Sequence, residues 1–179
     1  MKPISFIQPS RSNLKYLKWS YNSIRKNLGY RHELCWADDA STDGTWEWMV
    51  ETAKKDSNIK LYRNEGPERL GHTILYDKLV ELATCDIVMI FHADMYAPPG
   101  IDEEIHKHID ENTVVSLTRI EPPLHPDGPE KILADYGIEP EEFEELAFLR
   151  KYDELKQNRT TEGIFAPWAI YKKNFEEIN

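Results

Sequence analysis

Three polar stretches in this 179-residue chain carry groups suited to holding an anion, and each follows an apolar run. Residues 4–8 give way to Pro9-Ser10-Arg11, residues 32–37 ("HELCWA") to Asp38-Asp39, and residues 87–91 to His92-Ala93-Asp94. The last case is the sharpest. The stretch "DIVMIFHADMYAPPG" starts with a run apolar enough for a strand buried on both faces, then delivers an imidazole and a carboxylate before a Pro-Pro-Gly turn. A carboxylate at a strand tip accepts hydrogen bonds from a ribose or a base, and a second one holds a divalent cation. Mg²⁺ takes one or two carboxylates together with phosphate oxygens and water, whereas imidazole suits later transition metals.

Each group also has an ordinary structural role open to it. Asp38, Asp39 and Asp43 fit a turn and a helix cap, and Asp94 fits a cap for the helix after Pro98-Pro99. His92 fits a hydrogen-bonded core histidine. His106 and His108 are two apart on an expected helix, so they face different ways and read as surface. "DASTDGTWEWMV" begins like a calcium loop, but Val50 stands where the bidentate Glu is required.

The elements that must position these groups alternate. Expected strands at 4–8, 32–37, 59–63, 86–92 and 113–120 are separated by helical patterns from Ser12 or Asn13 to Leu28, from Asp43 to Lys55, around Ile74–Leu82, and along Ile101, Ile105 and Ile109. This β-α series predicts an α/β fold with a mainly parallel sheet flanked by helices on both faces, and the strand tips then converge on one edge. After residue 120 the character changes. A loop with Pro122, Pro123, Pro126 and Pro129 precedes an acidic amphipathic helix over 140–158, and "GIFAPWAIY" reads as a returning strand broken at Pro167. The remaining residues, "KKNFEEIN", begin a further element, for which a helix is the candidate. No linker divides the chain, so one domain is expected over 1–179, with a binding core at 1–120 and an acceptor-side segment at 121–179.

A net charge of −10 and a pI near 5.1 argue against a nucleic-acid binder. No apolar run reaches membrane-span length and the amino terminus lacks a signal-peptide pattern, so a cytoplasmic location is expected. Cys35 and Cys85 have no zinc-type spacing and read as free buried thiols.

These residues resemble a family 2 glycosyltransferase of the GT-A fold, a Rossmann-like sheet. "ELCWADDASTDGT" is similar to that family's "VDDGSTDGT" segment, "ISFIQPSRSNLKYLKWSYNSI" to its opening strand and helix, and the stretch ending in His92-Ala93-Asp94 to its Asp-x-Asp motif. The likeness is close over about residues 3–120 and looser beyond. It implies transfer of a sugar from a nucleotide-sugar donor, with UDP favoured, to a glycan or other hydroxyl acceptor, with inversion. It implies that Asp39 contacts the nucleoside, that Pro9, Ser10, Arg11 and Ala93 lie against the nucleotide, and that Asp94 holds Mn²⁺ or Mg²⁺. His92 replaces the motif's first Asp and is carried as a second metal ligand. Tyr76 and Asp77 stand where the family often has Arg-Asn, which leaves Arg69 as the cation expected to serve the phosphates. The family's general base follows a Gly-Gly turn that would come after Asn179. The resemblance therefore implies a fragment, a partner domain or subunit, or a base elsewhere, for which Glu162 is the nearest substitute. Two other readings stay open: a nucleotide- or glycan-binding module without turnover, and a nucleotidyltransferase, disfavoured because "QPSRSN" has no Gly.

Overall fold

The computed structural model describes residues 1–124, 128 and 131–178. Pro126 and Pro129 of the proline-rich loop, and Asn179, lie outside the described residues. Eight strands and six helices occur among those described: β1 (Ser5–Ser10), α1 (Leu14–Asn27), β2 (Glu33–Asp39), α2 (Thr45–Ala53), β3 (Ile59–Asn64), α3 (His72–Leu82), β4 (Ile87–Ile90), α4 (Ile101–His108), β5 (Val115–Ser116), β6 (Arg119–Glu121), β7 (Lys131–Leu133), α5 (Glu145–Leu155), β8 (Trp168–Tyr171) and α6 (Lys172–Glu177).

The main sheet has the order β3-β2-β1-β4-β8-β5. The first four strands are parallel, and β8 runs antiparallel to both β4 and β5. Each inner strand divides its apolar residues between two cores, as the period of two requires. Phe6, Trp36, Met89 and Phe91 meet Leu17 and Ile24 of α1, Met49 of α2 and Ile105 of α4 on one face. Ile7, Cys35, Ala37, Val88 and Ile90 meet Leu75 and Leu79 of α3 and Phe175 of α6 on the other. Helices on both faces of a mainly parallel sheet are thus the architecture expected from the sequence.

The fifth expected strand differs. Residues 113–120 do not extend the parallel series but split in two. Val115 and Ser116 pair with β8 at the sheet edge, and Arg119–Glu121 pairs in parallel with Lys131–Leu133 in a separate two-stranded ribbon. β8 takes the inner position because Ala169 and Ile170 each have a core to fill. A strand bearing Ser116 is better suited to the edge. The acidic helix is also shorter than its pattern, starting at Glu145 rather than near 140. The preceding turn explains this: Gly137 has φ 103° and lies so close to the Glu142 carbonyl that a Cβ there would fall 2.4 Å from its oxygen. That turn folds the segment back over the carboxyl ends of the strands.

Candidate functional site

The chain leaves β1 toward β2 on one side and returns from β3 to β4 on the other, so the strand order switches at β1. Crevices at such switch points, outside the carboxyl ends of the strands, are where ligands bind in open α/β sheets. Pro9 and Ser10 end β1, Asp38 and Asp39 end β2, and His92-Ala93-Asp94 follow β4. The sheet therefore gathers the expected residues onto one edge. With neighbouring strands about 4.8 Å apart, the tips of β2 and β4 are separated by roughly 10 Å.

The loops at these tips are tied together. The Ser10 hydroxyl bonds Asn13 Oδ1. Ser12, held at φ 47°, donates its N–H to Ser41 Oγ at 2.9 Å, and Thr42 N–H reaches Ser12 Oγ at 3.3 Å. Asn13 occupies the start of α1 without a side-chain cap bond; Asp43 supplies it instead, one oxygen accepting from Leu14 N–H at 3.0 Å and the other from Thr45 N–H at 3.1 Å. The N-cap of α2 is Gly44 rather than the expected Asp43, which stands one residue earlier and from there closes the first turns of two helices.

Asp39 and Asp94 are presented very differently. Asp39 is 2% exposed. Its Oδ1 accepts from the Asn64 amide at 2.7 Å and Leu70 N–H at 3.0 Å, and its Oδ2 accepts from Gly71 N–H at 3.1 Å with Arg69 Nε 3.6 Å away. Burial alone would raise its pKa; the Leu70 N–H, the Asn64 amide, the Gly71 N–H and the charge of Arg11 outweigh burial and hold it below the usual carboxylate value. Arg11 and Arg69 therefore do lie around Asp39, and the loop from Asn64 to Gly71 closes over it. Asp38 turns inward, fully buried.

Asp94 is exposed, and no hydrogen bond or ion pair engages its side chain among the described residues. It makes no cap bond to α4. His92 is part-buried, its ring near-parallel to that of Tyr76 and tilted against that of His72, with its Nε2 2.8 Å from the Tyr76 hydroxyl. Burial first, then the Asp94 charge, pushes the Tyr76 hydroxyl up to about 12, so it keeps its proton at neutral pH. Burial also lowers the His92 pKa against the pull of Asp94, with His72 and Arg119 acting in the same direction as burial. A neutral His92 coordinates through Nδ1 only as the Nε2–H tautomer, with Tyr76 accepting.

The fit to a cation can be judged from these donors. No group of three His, Cys, Asp or Glu side chains is placed to hold a metal among the described residues. The set suits a cation carried largely by a diphosphate, with Asp94 as the protein carboxylate and His92 Nδ1 as a conditional neighbour.

A cleft of about 300 Å³ opens beside Asp94. His92 and Asp94 line it, with Tyr16 and Trp19 from α1 and residues of the 119–143 segment. Pro9, Ser10, Arg11, Asp39, Arg69 and Ala93 do not line it, and neither does Glu162, which is exposed on the surface. Tyr16, Arg119, Glu121 and Glu139 were not legible as site residues in the sequence. Tyr16 reaches the cleft from α1, and the other three through the Gly137 turn and the ribbon of β6 and β7, which no periodicity announced. The nearest signal was the apolar face of α1, whose Tyr16 is placed one residue off the core stripe that Leu17 and Ile24 fill.

Solved structures resemble this fold. A mannosyltransferase from Pyrobaculum calidifontis, PcManGT, solved with GDP-Man and Mn²⁺, is 23% identical with a TM-score of 0.57, covering 66% of this chain and 36% of its own. S. aureus TarS (residues 1–349) is 24% identical with a TM-score of 0.58, covering 72% and 38%. Its complex with UDP-GlcNAc is 25% identical with a TM-score of 0.51, covering 68% and 34%. The chain thus spans about a third of the length of the structures it resembles. A search of curated proteins found no match. The sequence model of glycosyl transferase family 2 matches from Ser5, where β1 starts, to Ile178, and across that whole span this chain belongs to glycosyl transferase family 2.

Proposed function

We propose that this chain forms the donor-binding part of a metal-dependent glycosyltransferase that moves a sugar, with inversion, from a UDP-sugar to an acceptor hydroxyl. The observation that carries the reading is the exposed, unengaged Asp94 carboxylate at the switch-point edge, in a chain of this family. Asp94 binds the cation that accompanies the diphosphate. That cation supplies charge neutralisation on the departing nucleotide as negative charge builds there. Asp39 reads the nucleoside, and Arg69 and Arg11 border the phosphates. Because three donors of the chain already reach Asp39, nucleoside binding goes with a shift of the Leu70–Gly71 backbone. Pro9, Ser10 and Ala93 form the wall behind the nucleotide. A cytoplasmic site of action belongs to the same reading. No helix among the described residues is long and apolar enough to cross a membrane.

The test is thermal stabilisation of the chain by UDP, GDP, CDP and dTDP, each with Mn²⁺, with Mg²⁺ or with EDTA. Ligands that bind the folded state stabilise it by mass action, about 2.7 kcal/mol at a hundredfold excess over Kd. One diphosphate is expected to raise the melting temperature only with a cation present, and Asp94→Ala to remove that dependence. Equal stabilisation in EDTA would sink the reading. GDP in place of UDP would correct the base alone, a live alternative given the GDP-Man complex of the mannosyltransferase.

A further inference from the structure

The cleft beside Asp94 has a lining unlike that of a phosphate site. On one side stand Tyr16 and Trp19, three residues apart on one face of α1. Trp19 packs against Tyr96 and Phe143 at ring-centroid distances of 5.5 and 5.2 Å, forming a continuous aromatic wall. Interleaved with it are groups that recognise hydroxyls. Glu139 Oε2 accepts from Lys15 Nζ at 2.5 Å and from the Tyr16 hydroxyl at 2.6 Å, and among the described residues no bond is directed at its Oε1. Glu121 pairs with Arg119 Nε at 2.8 Å and Lys131 Nζ at 3.1 Å. We infer that this cleft binds a pyranose ring of the acceptor, so that the acceptor is a carbohydrate rather than a lipid or a peptide side chain. The identification as acceptor rests on the transfer reading above.

Three observations favour this occupant. A pyranose presents C–H faces to aromatic rings and hydroxyls to carboxylates and guanidinium together, which matches an amphipathic wall; a lipid chain would leave Asp94, Glu121 and Glu139 against hydrocarbon. A volume of about 300 Å³ lies at the small end of ligand sites, enough for one ring rather than an extended peptide. The position fits too. Pro167 leads into β8 and Arg119 follows β5, both beyond β4, whereas Asp39 lies on β2 on the opposite side of β1. A donor running from Asp39 to Asp94 leaves this cleft on its sugar side.

The experiment is saturation-transfer NMR of the full chain with a panel of disaccharides, run with Mn²⁺-free diamagnetic Mg²⁺ and with nucleotide stabilisation measured on the same samples. Transfer to ring protons of at least one disaccharide is expected. Trp19→Ala should weaken its affinity about tenfold, as the loss of one aromatic face predicts. Tyr16→Phe, which keeps the ring and the fold, should weaken it several-fold by freeing Glu139. No transfer to any disaccharide at millimolar concentration overturns the inference, as does an affinity unmoved by both variants. Nucleotide binding without carbohydrate binding overturns this inference and leaves the transfer reading standing; carbohydrate binding without nucleotide binding overturns the transfer reading and the identification as acceptor, and leaves a carbohydrate site.

Discussion

Asp39 and Asp94 end neighbouring parts of one sheet edge yet meet opposite conditions. Asp94 faces solvent, while Asp39 is enclosed by two backbone N–H groups and the Asn64 amide. An ionised carboxylate accepts from all three; an amide of the same shape offers one oxygen and turns an NH₂ toward the remaining donor. Asp39→Asn is therefore expected to cost about 1–3 kcal/mol near neutral pH, the penalty for a buried donor left unpaired. The folded pKa of Asp39 is depressed below its ordinary 3.8, so the unfolded chain takes up the proton first as pH falls. The stabilisation is then complete above about pH 3.8 and is lost as pH drops through the lower folded value. The melting-temperature gap between wild type and Asp39→Asn should be flat from pH 7 to about 5 and narrow in stronger acid. A gap that widens with acid would show that the carboxylate is not held in its charged form by these donors.

Between elements, the decisive link is Asp43. Its two oxygens close the first turns of α1 and α2, and the Ser12–Ser41 and Thr42–Ser12 bonds draw the same loops together. A residue that caps one helix contributes about 1 kcal/mol, up to about 2 in favourable cases. Serving two helix starts, Asp43 should lie at the upper end. Asp43→Ala is expected to lower the urea midpoint by an amount equivalent to about 2 kcal/mol with an unchanged slope, and Asp43→Asn to recover part of it. A loss below about 0.5 kcal/mol would show that water replaces the carboxylate at both helices. A second link runs through the core. Gln8 Oε1 accepts from Trp36 Nε1 at 2.8 Å, and its amide donates to Ser20 Oγ at 2.9 Å and toward the His92 carbonyl at 3.5 Å. One buried side chain thereby joins β1, β2 and α1 to the tip of β4.

For the molecule as a whole, stability should be graded across the sheet. β1 pairs on both sides from Ser5 to Ile7 and contributes to both cores, whereas β5 pairs over two residues at the edge. Amide hydrogen exchange is expected to be slowest at Phe6 and Ile7, and faster by orders of magnitude in β5 and in the ribbon of β6 and β7. Equal protection throughout would mean that the ribbon over the cleft belongs to the same cooperative unit as the sheet. The expected gradient would instead place Arg119 and Glu121, which line the cleft, on the part of the chain that opens most readily.

What could be read from residue order was the part governed by local rules. Apolar runs such as Ile87-Val88-Met89-Ile90 admit little but a strand buried on both faces, and the stripe of Leu17, Ile24 and Leu28 admits little but a helix on that sheet. A parallel β-α series then obliges Ser10, Asp39 and Asp94 to share an edge. Long-range pairing decided the rest. Residues 113–120 carry the pattern of one strand, but β8, some fifty residues later, takes the inner position by filling two cores and leaves them to split. Nothing near Asp39 in sequence reveals that Leu70 and Gly71 enclose it, and nothing near Tyr16 that Glu139 meets it. Those contacts depend on how loops fold back over the strand ends, where backbone turns and distant donors, rather than periodicity, set the geometry.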